Sequence, residues 1–290
     1  MSGTLYLLPT VIADNTLELT IPQGVVARAH TIRRFYVEAA KTARAYLKAL
    51  QHPEPIASLT IEEIGHDPDP LKIDAWLAPV LDGEDAAIVS ESGCPGIADP
   101  GAQLVARAHE LGIRVVPLAG PSSLLMTLMA SGLDGQRFRF SGYLPIHEAE
   151  RKAAVLALEA ASRASETQLF IETPYRNQAL FESLLSWLRA ETRLCVAADI
   201  TGTGERIVTR TVCQWRALAA QEPALAKVPT VFALLAPHKG PAPRYAPQDA
   251  THKGAPRSRE RGREAANRGQ SHKKSSHSAR LHNQSSRGTK

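Results

Sequence analysis

Two spacings of apolar residues alternate along positions 1–236. Short unbroken apolar runs between turn residues read as buried strands, and apolar residues three and four apart read as helix faces. Thr4–Leu8 (TLYLL) is a run of the first kind, ending at Pro9, and Ala86–Ser90 (AAIVS) is another, bounded by acidic and glycine-containing segments as a buried parallel strand is. Glu38–Leu50, Ile73–Leu81 and Ala102–Leu111 have helical spacing, and the last of these stops at Gly112. In Ile73–Leu81 the stripe Ile73, Trp76, Leu77 and Val80 marks the face turned to a sheet. Ile113–Leu118 is the next strand, and Ser122–Ser131 reads as a helix closed by Gly132.

Beyond residue 118 the character changes while the alternation of strand and helix continues. Phe138 and Phe140 alternate into a loop at Gly142–Pro145. Ala149–Ser162, Asn177–Leu188 and Trp215–Gln221 read as helices; Gln168–Glu172, Leu194–Ala198, Val208–Thr211 (an edge) and Thr230–Leu235 read as strands. Met126 and Met129 are assigned to the core, as are Cys195, Trp187 and Trp215. Two α/β units joined near Leu118–Gly120 accommodate this succession better than one very wide sheet. The expected organisation is an α/β domain over 1–118, a second over 119–236, and a tail over 237–290.

Charge separates the tail from the rest. Residues 237–290 hold 13 Lys and Arg against 3 Asp and Glu, a formal +10, while residues 1–236 hold 21 against 26, a formal −5. The tail has almost no large apolar residue after Tyr245, so burial cannot offset its ordering entropy, and disorder is expected. It suits loose contact with polyanions or serves as a solubilising extension. The acidic body excludes reading the whole chain as a basic nucleic-acid-binding domain. Cys94, Cys195 and Cys213 form no CxxC pair and fit a reducing compartment. The opening MSGTLYLLP lacks a positive segment ahead of an apolar one, which argues against a signal peptide, and no apolar run approaches the roughly 18–20 residues of a membrane span. A cytoplasmic protein with no membrane partner is expected.

The segment richest in candidate chemistry is Ser90–Gly101 (SESGCPGIADPG), which leaves a strand at its carboxyl end and enters a helix, the edge where open α/β sheets hold ligands. Gly93 and Gly96 permit close approach, Ser92 and Glu91 supply polar groups, and Asp99 is either a ligand-facing carboxylate or the cap of the next helix. Cys94 is read as a small packing residue. Leu118–Ser123 (LAGPSS) repeats the strand-to-helix transition, with Ser122 or Ser123 placed to cap. Neither loop is GxGxxG, and GxxxxGK[ST], HExxH, GxSxG and clustered Cys/His ligands are missing, which sets aside dinucleotide, P-loop, metal and serine-nucleophile chemistry. Glu172–Arg176 (ETPYR) offers Tyr175 for stacking on a ring and Arg176 for an anion, or else the edge of a core.

Taken in order, LYLLPT, VSESGCPGIADPG, VVPLAGPSS, ASGL…FRFSGYLP and FIETPYR resemble the tetrapyrrole-methylase superfamily, and within it the ribosomal small-subunit RNA ribose 2′-O-methyltransferases, whose second motif reads like VSDAGTPGISDPG. Glu91 stands at that motif's Asp position and Cys94 at its Thr position. The resemblance covers about residues 3–236. It implies two α/β/α domains with a cleft between them for S-adenosylmethionine. It places cofactor contacts at Pro9, Ser90, Glu91, Ser92, Cys94, Gly96, Ile97, Ala119, Gly120, Pro121, Ser122, Tyr175, Pro229 and Thr230, and implies a homodimer acting on rRNA or the small ribosomal subunit. Other segments depart from the family. TPIGNLxD becomes Thr10–Asn15 without its glycine; AAEDTRxT becomes Val37–Arg44, with Lys41 where an Asp is expected; ARELTKxxEE becomes Ala198–Glu205. Glu38, Lys41, Glu172 and Asp199 are the candidates for deprotonating or stabilising an acceptor hydroxyl, Glu38 and Lys41 foremost. Lys41 acts either as a base of lowered pKa or as a cation for phosphate, with Arg44 three residues on along the same face. Two other readings remain open: methylation of a tetrapyrrole or other small molecule, and an RNA-associated paralogue without turnover.

Overall fold

A computed structural model describes residues 2–238 apart from 219, 220 and 223. The assigned tail beyond His238 lies outside the described residues. Five strands, β1 (Thr4–Leu8), β2 (Arg34–Val37), β3 (Thr60–Glu63), β4 (Ala86–Val89) and β5 (Arg114–Pro117), form a wholly parallel sheet in the order β3-β2-β4-β1-β5. Strand alternation divides its side chains between two cores. Tyr6, Leu8, Phe35, Val37, Ala87 and Val89 pack on one face. There they meet α1 (Leu17–Thr20), α2 (Gln23–Ala29) and α3 (Ala40–Ala49). Leu5, Tyr36, Ala86 and Ile88 pack on the other, against α4 (Ile73–Leu81) and α5 (Ala102–Glu110). Ile73, Leu77 and Val80 are buried in this second core with Trp76 at its margin, as their spacing implied.

The second sheet is mixed. It joins β6 (Phe138–Tyr143), β7 (Thr167–Ile171), β8 (Arg193–Ala198), β9 (Arg206–Thr211) and β10 (Thr230–Leu235) in the order β6-β7-β10-β8-β9. β10 runs antiparallel to both neighbours, so β6, β7 and β8 share one direction and β9 and β10 the other. α6 (Ser123–Ser131) covers the face carrying Leu169, Cys195, Val231 and Ala233. The opposite face carries Phe170, Val196, Phe232 and Leu234, and packs on α7 (Glu148–Ser162), α8 (Asn177–Trp187) and α9 (Val212–Leu218). Phe170 and Phe232 stack at 5.7 Å, and the buried Trp215 indole donates to the Leu194 carbonyl at 2.8 Å with the Arg210 guanidinium 4.7 Å over its ring. No described helix is long and apolar enough to cross a membrane.

The structure differs from these expectations at five points. β2, β3, α1 and α2 were not anticipated: β2 contributes only a three-residue apolar run (FYV), and β3 (TIEE) is a polar edge strand with no buried position. The helix expected from Glu38 starts at Ala40, leaving Glu38 at the exit of β2, and the one expected over Trp215–Gln221 starts earlier, at Val212. Met129 is 83 % exposed, because α6 turns its last outward position away from the sheet, whereas Met126 packs at the edge of the core. Asp99 caps nothing: the N-cap of α5 is Gly101, with no side-chain cap, and Asp99 faces a cavity.

Candidate functional site

In the parallel sheet every strand delivers its carboxyl end to one edge, and the loops leaving β1, β4 and β5 are tied together there. The Thr10 amide donates to the Gly93 carbonyl at 2.8 Å, and the Cys94 thiol to the Pro121 carbonyl at 3.3 Å. Gly120 lies so close to Pro9 that a Cβ would sit 2.2 Å from the ring's Cβ, an approach open only to glycine. Gly96 holds φ 78°, which turns the β4–α5 loop back towards α5. Ser122 caps α6 through its hydroxyl, which accepts from the Leu125 amide at 3.5 Å, and Gly132 closes the helix in the left-handed conformation.

A cavity of about 480 Å³ opens where these loops face the second sheet, and five carboxylates line it: Glu38, Glu91, Asp99, Glu172 and Asp199. Each comes from the exit of a strand or the loop beyond it. Glu38 is largely buried; one carboxylate oxygen faces the His66 ring nitrogen at 3.1 Å, and the other is buried without a partner. Burial pushes the Asp99 carboxyl up to about 6, the Glu38 and Glu91 charges add to this, and the Ser90 hydroxyl and His66 offset part of it. Glu172 is fully buried and held by Arg176 at 2.5 Å and by the Thr173 amide at 2.7 Å, so Arg176 is committed to an internal ion pair. Asp199, at φ 49°, accepts from the Gly204 amide at 2.8 Å, and its carboxylate fills the space a side chain on Gly202 would need. Tyr143 closes the ring of polar groups, its hydroxyl pushed up by burial and by the Asp99, Glu172 and Glu38 carboxylates.

The residues singled out in the sequence are distributed around this cavity. Ser92, Pro229 and Thr230 line it directly. Ser92, Cys94, Ile97 and Ser122 line a hollow of about 170 Å³ that shares Asp99 and Tyr143 with it. Ala119, Gly120 and Pro121 lie beyond Ser122, in an apolar groove of about 740 Å³ with Leu125 and Met129. Ser90 and Glu91 face the other way, into a cavity of about 570 Å³ against α3, with Glu91 lining both. Pro9 is buried under Gly120, Gly96 shapes the loop, and Tyr175 is 79 % exposed, outside the cavities described. Glu38 lines the central cavity, whereas Lys41 is exposed on α3. His66 and Tyr143 were not anticipated. His66 follows the unrecognised β3, and Tyr143 sits inside a strand whose signal ended at Phe140.

The chain matches the family model described as Tetrapyrrole (Corrin/Porphyrin) Methylases over residues 24–214. It is 31 % identical over 213 residues to the Ribosomal RNA small subunit methyltransferase I of Pseudomonas aeruginosa, covering 71 % of this chain and 69 % of that one. It is 36 % identical over 143 residues to the protein of the same name from Mesorhizobium japonicum (49 % and 47 % covered). Against that of Escherichia coli O157:H7 it is 38 % identical over 136 residues (47 % and 46 % covered). The chain thus spans about half the length of the latter two relatives. Among solved structures it resembles the methyltransferase CobJ in fold, with a TM-score of 0.52 at 16 % identity over 81 % of this chain and 95 % of that one. With one family model running from the first turn of α2 into α9, through eight of the ten described strands, the chain belongs to the tetrapyrrole (corrin/porphyrin) methylase family.

Proposed function

We propose that this protein is an S-adenosylmethionine-dependent methyltransferase acting on small-subunit ribosomal RNA, at a cytidine ribose 2′-hydroxyl by family resemblance. The observation that carries it is the convergence of five carboxylates on one cavity at the exit edges of both sheets. The residues present fit such a cofactor: its sulfonium and ammonium groups are cations, and the cavity offers carboxylates and an unpartnered Glu38 oxygen. Ser92, Cys94, Ile97, Ser122, Pro229 and Thr230 would hold it. When bound, the cofactor supplies a methyl group on positively charged sulfur. Transfer to a ribose hydroxyl would exchange the S–CH3 bond for an O–CH3 bond, leave a neutral thioether, and require the hydroxyl proton to go to a base on the protein.

Glu38 is the proposed base for that proton, supported by a carboxylate oxygen that is buried without a partner. Lys41, on the exposed side of α3, serves the RNA and not the methyl group. Residues 1–118 and 119–236 act as the two domains of a homodimer subunit in the cytoplasm, and the basic tail adds affinity for RNA phosphates. The test is transfer of tritiated methyl from the cofactor into RNA and small-molecule fractions from cells lacking this gene. Label in small-subunit rRNA, reduced about 10²–10⁴-fold by Glu38→Gln, is the expected result. Label in small molecules alone transfers the assignment to a different acceptor, and no label with the cofactor bound overturns the enzyme reading.

A further inference from the structure

Helix α3 carries three distinct faces. At roughly 100° per residue, Lys41, Arg44 and Lys48 fall within about 60° of one another, and Thr42, Ala45 and Ala49 occupy the next 60° or so. Ala43, Tyr46 and Leu47 fill the buried side. The middle face is one wall of the 570 Å³ cavity, whose far wall is the β4 exit at Ser90 and Glu91. The basic face is exposed, and among the described residues none of its three cations forms an ion pair. α3 has no acidic residue, although residues 1–236 are net acidic. A bare cationic stripe therefore runs along the rim of a cavity.

The cavity has its own chemistry. The Thr10 side chain lines it, more than nine-tenths buried, and no hydrogen-bond partner meets its hydroxyl; Ser90, equally buried, lines it as well. An unmet buried hydroxyl carries a desolvation cost that a polar ligand would remove. Asp14, Glu18 and Glu91 add carboxylates, and no cation lines the wall, so the interior repels phosphate and accepts N–H donors. Thr42 already donates to Glu91 at 3.1 Å. The volume lies within the roughly 300–1,000 Å³ of small-ligand sites. Glu91 lines this cavity and the central one, so an occupant here lies next to the assigned methyl donor.

We propose that a single RNA strand runs along α3 with its phosphates on Lys41, Arg44 and Lys48, and turns one unstacked nucleotide into the cavity between α3 and the β4 exit. This rests on the RNA-methyltransferase reading and deepens it. The phosphates stay on the cationic rim and the uncharged base enters the acceptor-rich interior. A base presenting an amino group satisfies the Glu91 carboxylate better than one presenting only carbonyls.

The experiment uses the full chain and a single-stranded RNA dodecamer containing one fluorescent cytidine analogue, with affinity measured at several salt concentrations. Lys41→Ala/Arg44→Ala/Lys48→Ala is expected to weaken binding about tenfold at low salt and to reduce the log–log salt slope by about 2, from three contacts at ~0.7 each. The charge-preserving Lys41→Arg/Arg44→Lys/Lys48→Arg is expected to restore both. Ala45→Trp, an exposed helical position on the cavity wall, should keep the salt slope and abolish the change in analogue fluorescence. An unchanged slope in the triple-alanine variant, or full fluorescence change in Ala45→Trp, overturns the inference while methyl transfer to RNA still supports the parent reading. Wild-type protein that binds the cofactor but no RNA overturns both.

Discussion

The two sheets bring functional groups to the same cavity by different rules. In the first, all five strands are parallel, so each contributing residue follows its strand: Glu38 after β2, His66 after β3, Glu91 after β4. In the second, β10 is inserted antiparallel between β7 and β8. The carboxyl ends of β7 and β8 then deliver Glu172 and Asp199, while β10 delivers its amino end, Pro229 and Thr230. The Asp199 amide donates to the Pro229 carbonyl at 2.9 Å, joining the two kinds of strand end. A parallel sheet announces its ligand edge through strand–loop–helix order. A mixed sheet conceals it until the pairing is known.

The largest expected effect tests whether the sheets are separate cooperative units. Phe35 and Phe232 are both fully buried, one in each sheet. Replacing either by alanine should cost about 3–5 kcal/mol. With two units, Phe232→Ala loosens amide protection in β6–β10 while β1–β5 remain protected, and hydrogen exchange resolves the two. Uniform loss of protection across both sheets would mean one cooperative unit and would argue against a division at 118 and 119.

That division marks what the sequence made legible. AAIV and TVFALL announce buried strands, and α6 lies between Ser122 and Gly132 as its caps foretold. RFYV and TIEE do not announce strands: one apolar run is too short, and the other has only polar positions around one isoleucine. His66 was lost with β3. The motif SESGCPGIADPG was found, but that Asp99 faces a cavity depends on Gly101 taking the N-cap in its place. Asp199 was a candidate, yet its grip on the Gly204 amide and its conflict with any side chain at Gly202 arise from a left-handed turn that its own residue type does not demand. Local pattern reveals elements; which carboxylates meet is decided by strand order.

A middle-sized effect is expected where the loops of the parallel sheet press together. Gly120→Ala forces a Cβ into the Pro9 ring and should destabilise by about 1–3 kcal/mol, as overpacking does. Pro9→Gly in the same chain removes the Cβ and Cγ that the added Cβ meets and should recover part of this. Thermal unfolding of the single and double variants decides it. If the double is no more stable than the single, the fault lies in backbone conformation and not in that contact.

Asp99 tests the electrostatic side of the comparison. Its folded pKa, about 6, lies above its unfolded value of 3.8, so the folded state holds this proton more tightly. The sign follows: Asp99 is no burden below about pH 4, and its burial cost grows as pH rises towards 6 and is complete above it. A shift of that size corresponds to roughly 3 kcal/mol at most, and a half-buried carboxyl retains about 1 kcal/mol after solvent screening. Asp99→Asn should therefore gain about 1 kcal/mol on the wild type between pH 4 and pH 7.5 in urea unfolding. A constant difference across that range would remove Asp99 from the group of carboxylates that repel one another in the cavity.

The smallest effect concerns Ser122, where a structural and a ligand role coincide. Its hydroxyl accepts from the Leu125 amide at 3.5 Å, a long bond for a cap, so Ser122→Ala should cost only about 0.5 kcal/mol, the low end for caps. The same residue lines both the small hollow beside Asp99 and the apolar groove beyond it. If its hydroxyl also holds the cofactor, alanine removes a hydrogen bond worth about 0.5–1.5 kcal/mol, and cofactor affinity falls roughly two- to tenfold. Ser122→Gly, which keeps most N-cap propensity, should restore the stability and leave the affinity loss in place. Calorimetric titration beside thermal unfolding separates the two. Affinity that recovers together with stability in Ser122→Gly would reduce Ser122 to a helix cap and move the cofactor's polar contacts to the second sheet, at Thr230 and the loop after β8.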